Sequence, residues 1–185
     1  MREQIRRFVQ VVAEELPLQD PIYEFGALQV PGQEGFADLR PLFPGRPYYG
    51  CDMRQGPGVD LVLDLHAIEL PASSAGTVLA VETLEHVEFV REAIAECYRI
   101  LRQNGILVIT SCMHFQIHDH PADYWRFTPE GFRSLLRPFP LSYVDWDGRP
   151  EFPHTVVGIG IKGAVPQPHM EALSRRAGEW KGAAG

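Results

Sequence analysis

Apolar residues along this chain gather in short, nearly continuous runs. They read I-Y-E-F-G-A from Ile22, P-Y-Y-G-C-D-M from Pro47, V-D-L-V-L-D-L from Val59 and T-V-L-A-V-E-T from Thr77. G-I-L-V-I-T-S-C follows from Gly105, L-S-Y-V-D-W from Leu141 and T-V-V-G-I-G-I-K from Thr155. Runs of this length without strict alternation predict strands buried on both faces. Two stretches have helical spacing instead. Ile5, Phe8, Val9 and Val12 predict an amphipathic helix over 2–15, stopped near Pro17. Val90, Ala93, Ile94, Cys97, Ile100 and Leu101 form one stripe over 87–103, with Asn104-Gly105 as its left-handed stop. Thr128-Pro129-Glu130 opens a further helix with a hydroxyl cap, a first-turn proline and an acid at the positive dipole end.

Strands alternating with helices predict an α/β fold, a doubly wound, mainly parallel sheet. The last two strands are separated only by Asp147-Gly148-Arg149-Pro150, too short for a crossover helix, so they should pair antiparallel. The expectation is one domain over 1–163 and a Pro/Gly/Ala-rich tail over 164–185 that is partly disordered. Ligands in such sheets bind beyond the carboxyl ends of the strands.

Composition narrows the function classes. The 185 residues are 45% hydrophobic and 22% charged, with a formal net charge of −7, which disfavours a nucleic-acid partner. Cys51, Cys97 and Cys112 have neither metal-finger nor disulfide-framework spacing. The first residues lack a signal-peptide apolar core and no run approaches a membrane span, so a cytoplasmic protein is expected.

Acids stand at the ends of the first four strands, where a diphosphate would be repelled. A cationic ligand with amino and hydroxyl donors suits them, and S-adenosylmethionine is such a ligand. Here the chain resembles the class I S-adenosylmethionine-dependent methyltransferases of the small-molecule type, over roughly 20–162. That resemblance implies a Rossmann-like seven-stranded mixed sheet with an antiparallel last strand. It also implies cofactor contacts. Glu24-Phe25-Gly26 matches the start of the first motif, where Gly26 would let the backbone approach the methionine part. Asp52, with Met53 beside it, matches the ribose acid. Asp64 matches the adenine acid, with the Leu65 amide next to it. A-V-E-T-L-E-H-V matches the fourth-strand motif and carries Glu82. The first loop departs from the pattern: Leu28 replaces the second glycine, and Pro31-Gly32 follow where a helix normally begins.

Two clusters carry candidate chemistry. Glu82, Glu85 and His86 form E-x-x-E-H, which resembles the metal-binding motif of ubiquinone-pathway and small-RNA 2′-O-methyltransferases; these residues either bind a divalent metal or cap the following helix. After the fifth strand, His114, His118, Asp119 and His120 share one loop. His118, then His120, is the candidate general base, with Glu82 orienting the methionine moiety. His114, Tyr124, Trp125 and Arg126 are candidates to hold the acceptor, and the 2–15 helix is expected to cap it. The motifs of amino-group and C5 DNA methyltransferases are missing, so no DNA substrate is expected. The reading is O-methylation of a small molecule or glycan-like acceptor, by a monomer or homodimer. Its rival is a non-catalytic cofactor-binding or interaction protein on the same scaffold.

Overall fold

The structure, a computed structural model, describes residues 3–30, 32, 35–118 and 121–181. Its strands are β1 (Ile22–Phe25), β2 (Tyr48–Asp52), β3 (Leu61–Val62), β4 (Ala75–Val81), β5 (Leu101–Cys112), β6 (Leu141–Arg149) and β7 (Phe152–Ile161). They form one sheet in the order β3-β2-β1-β4-β5-β7-β6. The first five are parallel to one another, and β7 runs antiparallel between β5 and β6. Each predicted run supplies one strand. Asp147–Arg149 proves to belong to β6 rather than to the connection. Arg149 pairs with Phe152, leaving Pro150-Glu151 as the turn.

The helices are α1 (Glu3–Glu15), α2 (Val90–Ile100), α3 (Pro129–Leu135), α4 (Gln167–Arg175) and α5 (Ala177–Trp180). α2 is shorter than its apolar stripe suggests. A 3₁₀ turn over Leu84–His86 precedes it, and Leu101 is already extended as the start of β5. Asn104 does take the left-handed conformation, at φ 62°, but inside β5 rather than at the helix end. At the start of α3, the Thr128 hydroxyl accepts from Gly131 N at 3.0 Å, as the cap motif requires.

The sheet is covered on both faces, and β4 shows why its run is continuous. Val78 and Ala80 point into a core shared with α2 and α3. Leu79 and Val81 point into a second core shared with α1. The stripe of α1 is therefore spent on the sheet, and no described residue of α1 lines the cleft discussed below. The expected acceptor cap is instead a structural layer. The tail corrects a second expectation. Residues after Ala164 form α4 and α5, because Leu173 and Trp180 complete the core over α1 and Trp180 meets Phe8 edge-on at 5.3 Å. Composition concealed these two anchors.

Between β1 and β2, the described residues contain only a 3₁₀ turn at Arg40–Leu42. Leu39 and Phe43, on either side of it, are buried beside α1 and take the place of a crossover helix in the core.

Candidate active site

A cleft of about 320 Å³ opens at the carboxyl ends of β1, β2, β4 and β5. All seven residues expected at the cofactor line it: Glu24, Gly26, Asp52, Met53, Asp64, Leu65 and Glu82. Their order follows the sheet, with Asp52 and Asp64 at one end and Glu82 beneath the middle strands.

Local backbone geometry explains each position. Gly26 is left-handed at φ +85°, and a Cβ there would lie 2.3 Å from Thr83 Oγ1. The Thr83 hydroxyl donates to Phe25 O at 3.0 Å, so Gly26 is needed first for strand-end packing. Glu24 is buried and accepts from the Tyr48 hydroxyl at 2.5 Å. Burial pushes its carboxyl up to about 7. Asp52 Oδ1 accepts from Arg54 N at 2.9 Å, which fixes the carboxylate at the end of β2. Asp64 Oδ1 accepts from both His66 N and His66 Nδ1, at 2.8 and 2.7 Å. Partial burial opposes ionisation of Asp64, but these two bonds outweigh it and hold the carboxyl below its ordinary value. His66 Nε2 accepts from Phe89 N at 3.2 Å, so its proton is on Nδ1. Glu82, at φ 52°, is a non-glycine residue in the left-handed region, held there by donating its N–H to Thr110 O and Oγ1. Such strain at a strand end is a common mark of a functional site.

The other end of the cleft is built by the Leu84–His86 turn and the loop after β5. Tyr124 N and Trp125 N both donate to Glu85 O, at 2.7 and 3.2 Å, stapling the loop to the turn. Glu85 is 2% exposed and its Oε2 accepts from the Ser111 hydroxyl at 2.6 Å. Burial raises its carboxyl. His86 Nδ1 donates to Ala122 O at 2.6 Å, and burial lowers the imidazole. His118 lies edge-on to His86, with ring centroids 4.7 Å apart. His118 Nδ1 is 3.1 Å from Asp123 Oδ2, and the His118 backbone N–H donates to the same oxygen at 2.9 Å. The Arg126 guanidinium holds Asp123 well below the usual carboxylate range, so Asp123 stays charged.

The structure thus brings Glu85, His86 and His118 together. Glu82 lines the cleft but is not part of that group among the described residues. His120 and Asp119 lie outside the described residues. The four acceptor candidates do not line the cleft. Arg126 is committed to Asp123, and Trp125 Nε1 donates to Val87 O at 2.9 Å. His114 packs on Phe152 at 4.4 Å, and Tyr124 is turned outward, 46% exposed. Cys112, Phe115 and Pro121 wall that end instead. Thr83, His66 and Asp123 were missed as site residues.

The family described as Methyltransferase domain matches residues 50–109, from β2 through most of β5. In its fold, and over residues 50–109 in its sequence, the chain is similar to class I methyltransferase domains. S-adenosylmethionine is the methyl donor of that class. Among solved structures, the chain is similar to Burkholderia thailandensis 1,6-didemethyltoxoflavin-N1-methyltransferase with bound 1,6-didemethyltoxoflavin and S-adenosylhomocysteine. The TM-score is 0.67 at 16% identity, covering 87% of this chain and 79% of that one. A SAM-dependent methyltransferase from Archaeoglobus fulgidus gives 0.60 at 15%, covering 85% and 94%. The citrinin polyketide synthase CMeT domain gives 0.60 at 19%, covering 86% of this chain and 52% of that one. No curated protein sequence matches the chain. At these identities the likenesses concern the fold. Among the described residues, no helix is long and apolar enough to cross a membrane.

Proposed function

We propose that this domain transfers a methyl group from S-adenosylmethionine to a hydroxyl of a small molecule or glycan-like acceptor. The carrying observation is that the whole expected cofactor set lines one cleft whose far end holds Glu85, His86 and His118. The donor set fits the cofactor. Asp52, fixed by the Arg54 amide, would accept from the ribose hydroxyls, and Asp64 from the adenine amine. Glu24 and Glu82 stand nearer the middle strands, where a cationic methionine moiety is matched by acids rather than by phosphate-binding amides.

When bound, the cofactor supplies an electrophilic methyl on a sulfonium. The chain's part is to bring an acceptor oxygen into line with it and to manage that oxygen's proton. The His86–His118 pair is the place for the proton, because each imidazole has its Nδ1 engaged and so presents Nε2 as its acceptor nitrogen. Since Arg126 is committed to Asp123, the acceptor is held by shape and hydroxyl contacts rather than by a carboxylate clamp. Cys51, Cys97 and Cys112 are buried thiols, which fits a cytoplasmic setting.

The irregular loop after Gly26 favours a second reading, in which the cofactor binds without turnover. Calorimetric titration with S-adenosylmethionine and S-adenosylhomocysteine tests the first step, and methyl transfer to a panel of hydroxylated acceptors tests the second. No binding of either compound sinks both readings. Binding without transfer to any acceptor leaves only the second.

A further inference from the structure

We propose that His66 is the positioning residue at the purine end of the cleft, fixing the Asp64 carboxylate so that it selects an amino base over an oxo base. This selectivity rests on the cofactor reading given above, in which Asp64 faces the adenine amine. Asp64 needs such help because its strand offers little. β3 is two residues long and lies at the sheet edge, with Leu61 paired to Cys51 and Val62 to Asp52. The next bond, Leu63 N to Asp52 O at 3.0 Å, stops at the residue before the acid. The Asp64 side chain is 51% exposed, so packing leaves its rotamer open. His66 closes that freedom. Its backbone N–H and its ring Nδ1 both donate to Asp64 Oδ1, at 2.8 and 2.7 Å. The backbone bond is an Asx turn that any non-proline residue at this position can make, whereas the ring bond needs a side-chain donor.

The ring is itself held. Phe89 N–H donates to His66 Nε2 at 3.2 Å, where α2 begins with no side-chain cap of its own. Nε2 therefore accepts and Nδ1 carries the proton, which is the tautomer that the bond to Asp64 requires. The Phe89 ring also meets the imidazole edge-on at 5.8 Å. Further along the loop, Ile68 N donates to Glu96 Oε2 at 2.9 Å. Arg99 donates to Ile68 O and Leu70 O, at 2.6 and 2.9 Å. Glu96 and Arg99 thus fasten the outer loop to α2, and His66 fastens the part that borders the cleft. Both His66 and Asp64 line that cleft.

With Oδ1 engaged twice, Oδ2 is the oxygen left to the ligand. Partial burial opposes the charge on Asp64, but the two His66 bonds outweigh it and favour the ionised carboxylate. An anionic acceptor in a fixed place attracts an exocyclic amine and repels a carbonyl oxygen standing where the amine was. A mobile carboxylate would turn away from that carbonyl and lose the distinction. Selectivity between bases, rather than bulk affinity, is what His66 contributes.

Calorimetry with S-adenosylhomocysteine and with S-inosylhomocysteine, in which a carbonyl replaces the amine, reads the ratio of the two affinities in each protein. The full-length wild type should prefer the amino compound by about tenfold. His66→Gln keeps an acceptor within reach of Phe89 N but gives up the donor to Asp64, and His66→Asn does the reverse. The glutamine variant should therefore lose most of the preference, and the asparagine variant should keep most of it. Asp64→Asn, whose amide offers a donor or an acceptor, should bring the ratio to about one. A merely structural histidine would lower thermal stability, or both affinities together, without moving the ratio. Long-range proton–nitrogen NMR correlations of the wild type in mildly alkaline buffer should show His66 protonated on Nδ1. That measurement needs no variant, so it holds even where a substitution prevents folding. Protonation on Nε2, or an unchanged ratio in His66→Gln, overturns the role of His66 and leaves the cofactor reading intact. No binding of S-adenosylhomocysteine by the wild type removes the cofactor reading and the selectivity with it.

Discussion

Arg126 holds both carboxylate oxygens of Asp123, with Nη1 on Oδ1 at 2.5 Å and Nη2 on Oδ2 at 2.7 Å. The Asp123 side chain is only 2% exposed. An arginine that sequence alone suggests for holding the acceptor is thus a strut under His118. Removing it strands a buried carboxylate. Arg126→Ala should cost about 2–3 kcal/mol in denaturant unfolding, whereas Arg126→Ala combined with Asp123→Ala should recover part of the loss. Additive losses in the double variant would show that the pair is not coupled.

Asp52→Ala should weaken S-adenosylmethionine binding at least about tenfold, since charge-assisted bonds are worth roughly 1.5–3 kcal/mol each. Asp64 already accepts two bonds from His66, so Asp64→Ala should have a smaller effect on cofactor affinity and also loosen His66. Calorimetry on the folded variants decides both, and wild-type affinity for Asp52→Ala would remove the ribose assignment.

Glu24 links stability to pH. Burial raises its carboxyl from 4.5 to about 7, so between these values the folded chain holds a proton that the unfolded chain releases. The contribution is fully present below pH 4.5 and lost as pH rises through about 7. Glu24→Gln keeps a neutral acceptor for Tyr48. Relative to wild type it should therefore gain about 3 kcal/mol between pH 4.5 and pH 8. Urea midpoints measured across that range are the check, and a pH-independent difference would refute the assignment.

Trp180→Ala should destabilise the fold by about 3–5 kcal/mol, because the indole is 1% exposed and fills the core against Phe8. Since it lies on the face away from the cleft, cofactor affinity measured well below the melting temperature should stay at the wild-type value. A matching loss of affinity would show that this layer reaches the site.

The seven strands and the cofactor acids were legible in the sequence because both depend on local signals. A run such as G-I-L-V-I-T can be buried on both faces only in a sheet, and an acid closing such a run falls at the carboxyl edge. What escaped depends on partners far apart in the chain. Gly26 reads as a ligand-facing glycine until Thr83, 57 positions on in the numbering, is seen in the space of its missing Cβ. Glu82 and Glu85 look equivalent in E-x-x-E-H. The left-handed turn at Glu82 and the 3₁₀ turn after it send them to different places. Leu173 and Trp180 were hidden by the small residues around them, and no periodicity could announce an anchor made by one indole.

The layer built by α1, α4 and α5 also sets an order of events. Arg176 Nη1 reaches Glu15 at 2.6 Å across 161 positions, and Phe8 waits for Trp180. During synthesis the apolar stripe of α1 emerges well before α4 and α5, which cover it. For most of that interval the helix has only the growing sheet to shelter on, so this face is where a chaperone that grips apolar helices would find its hold.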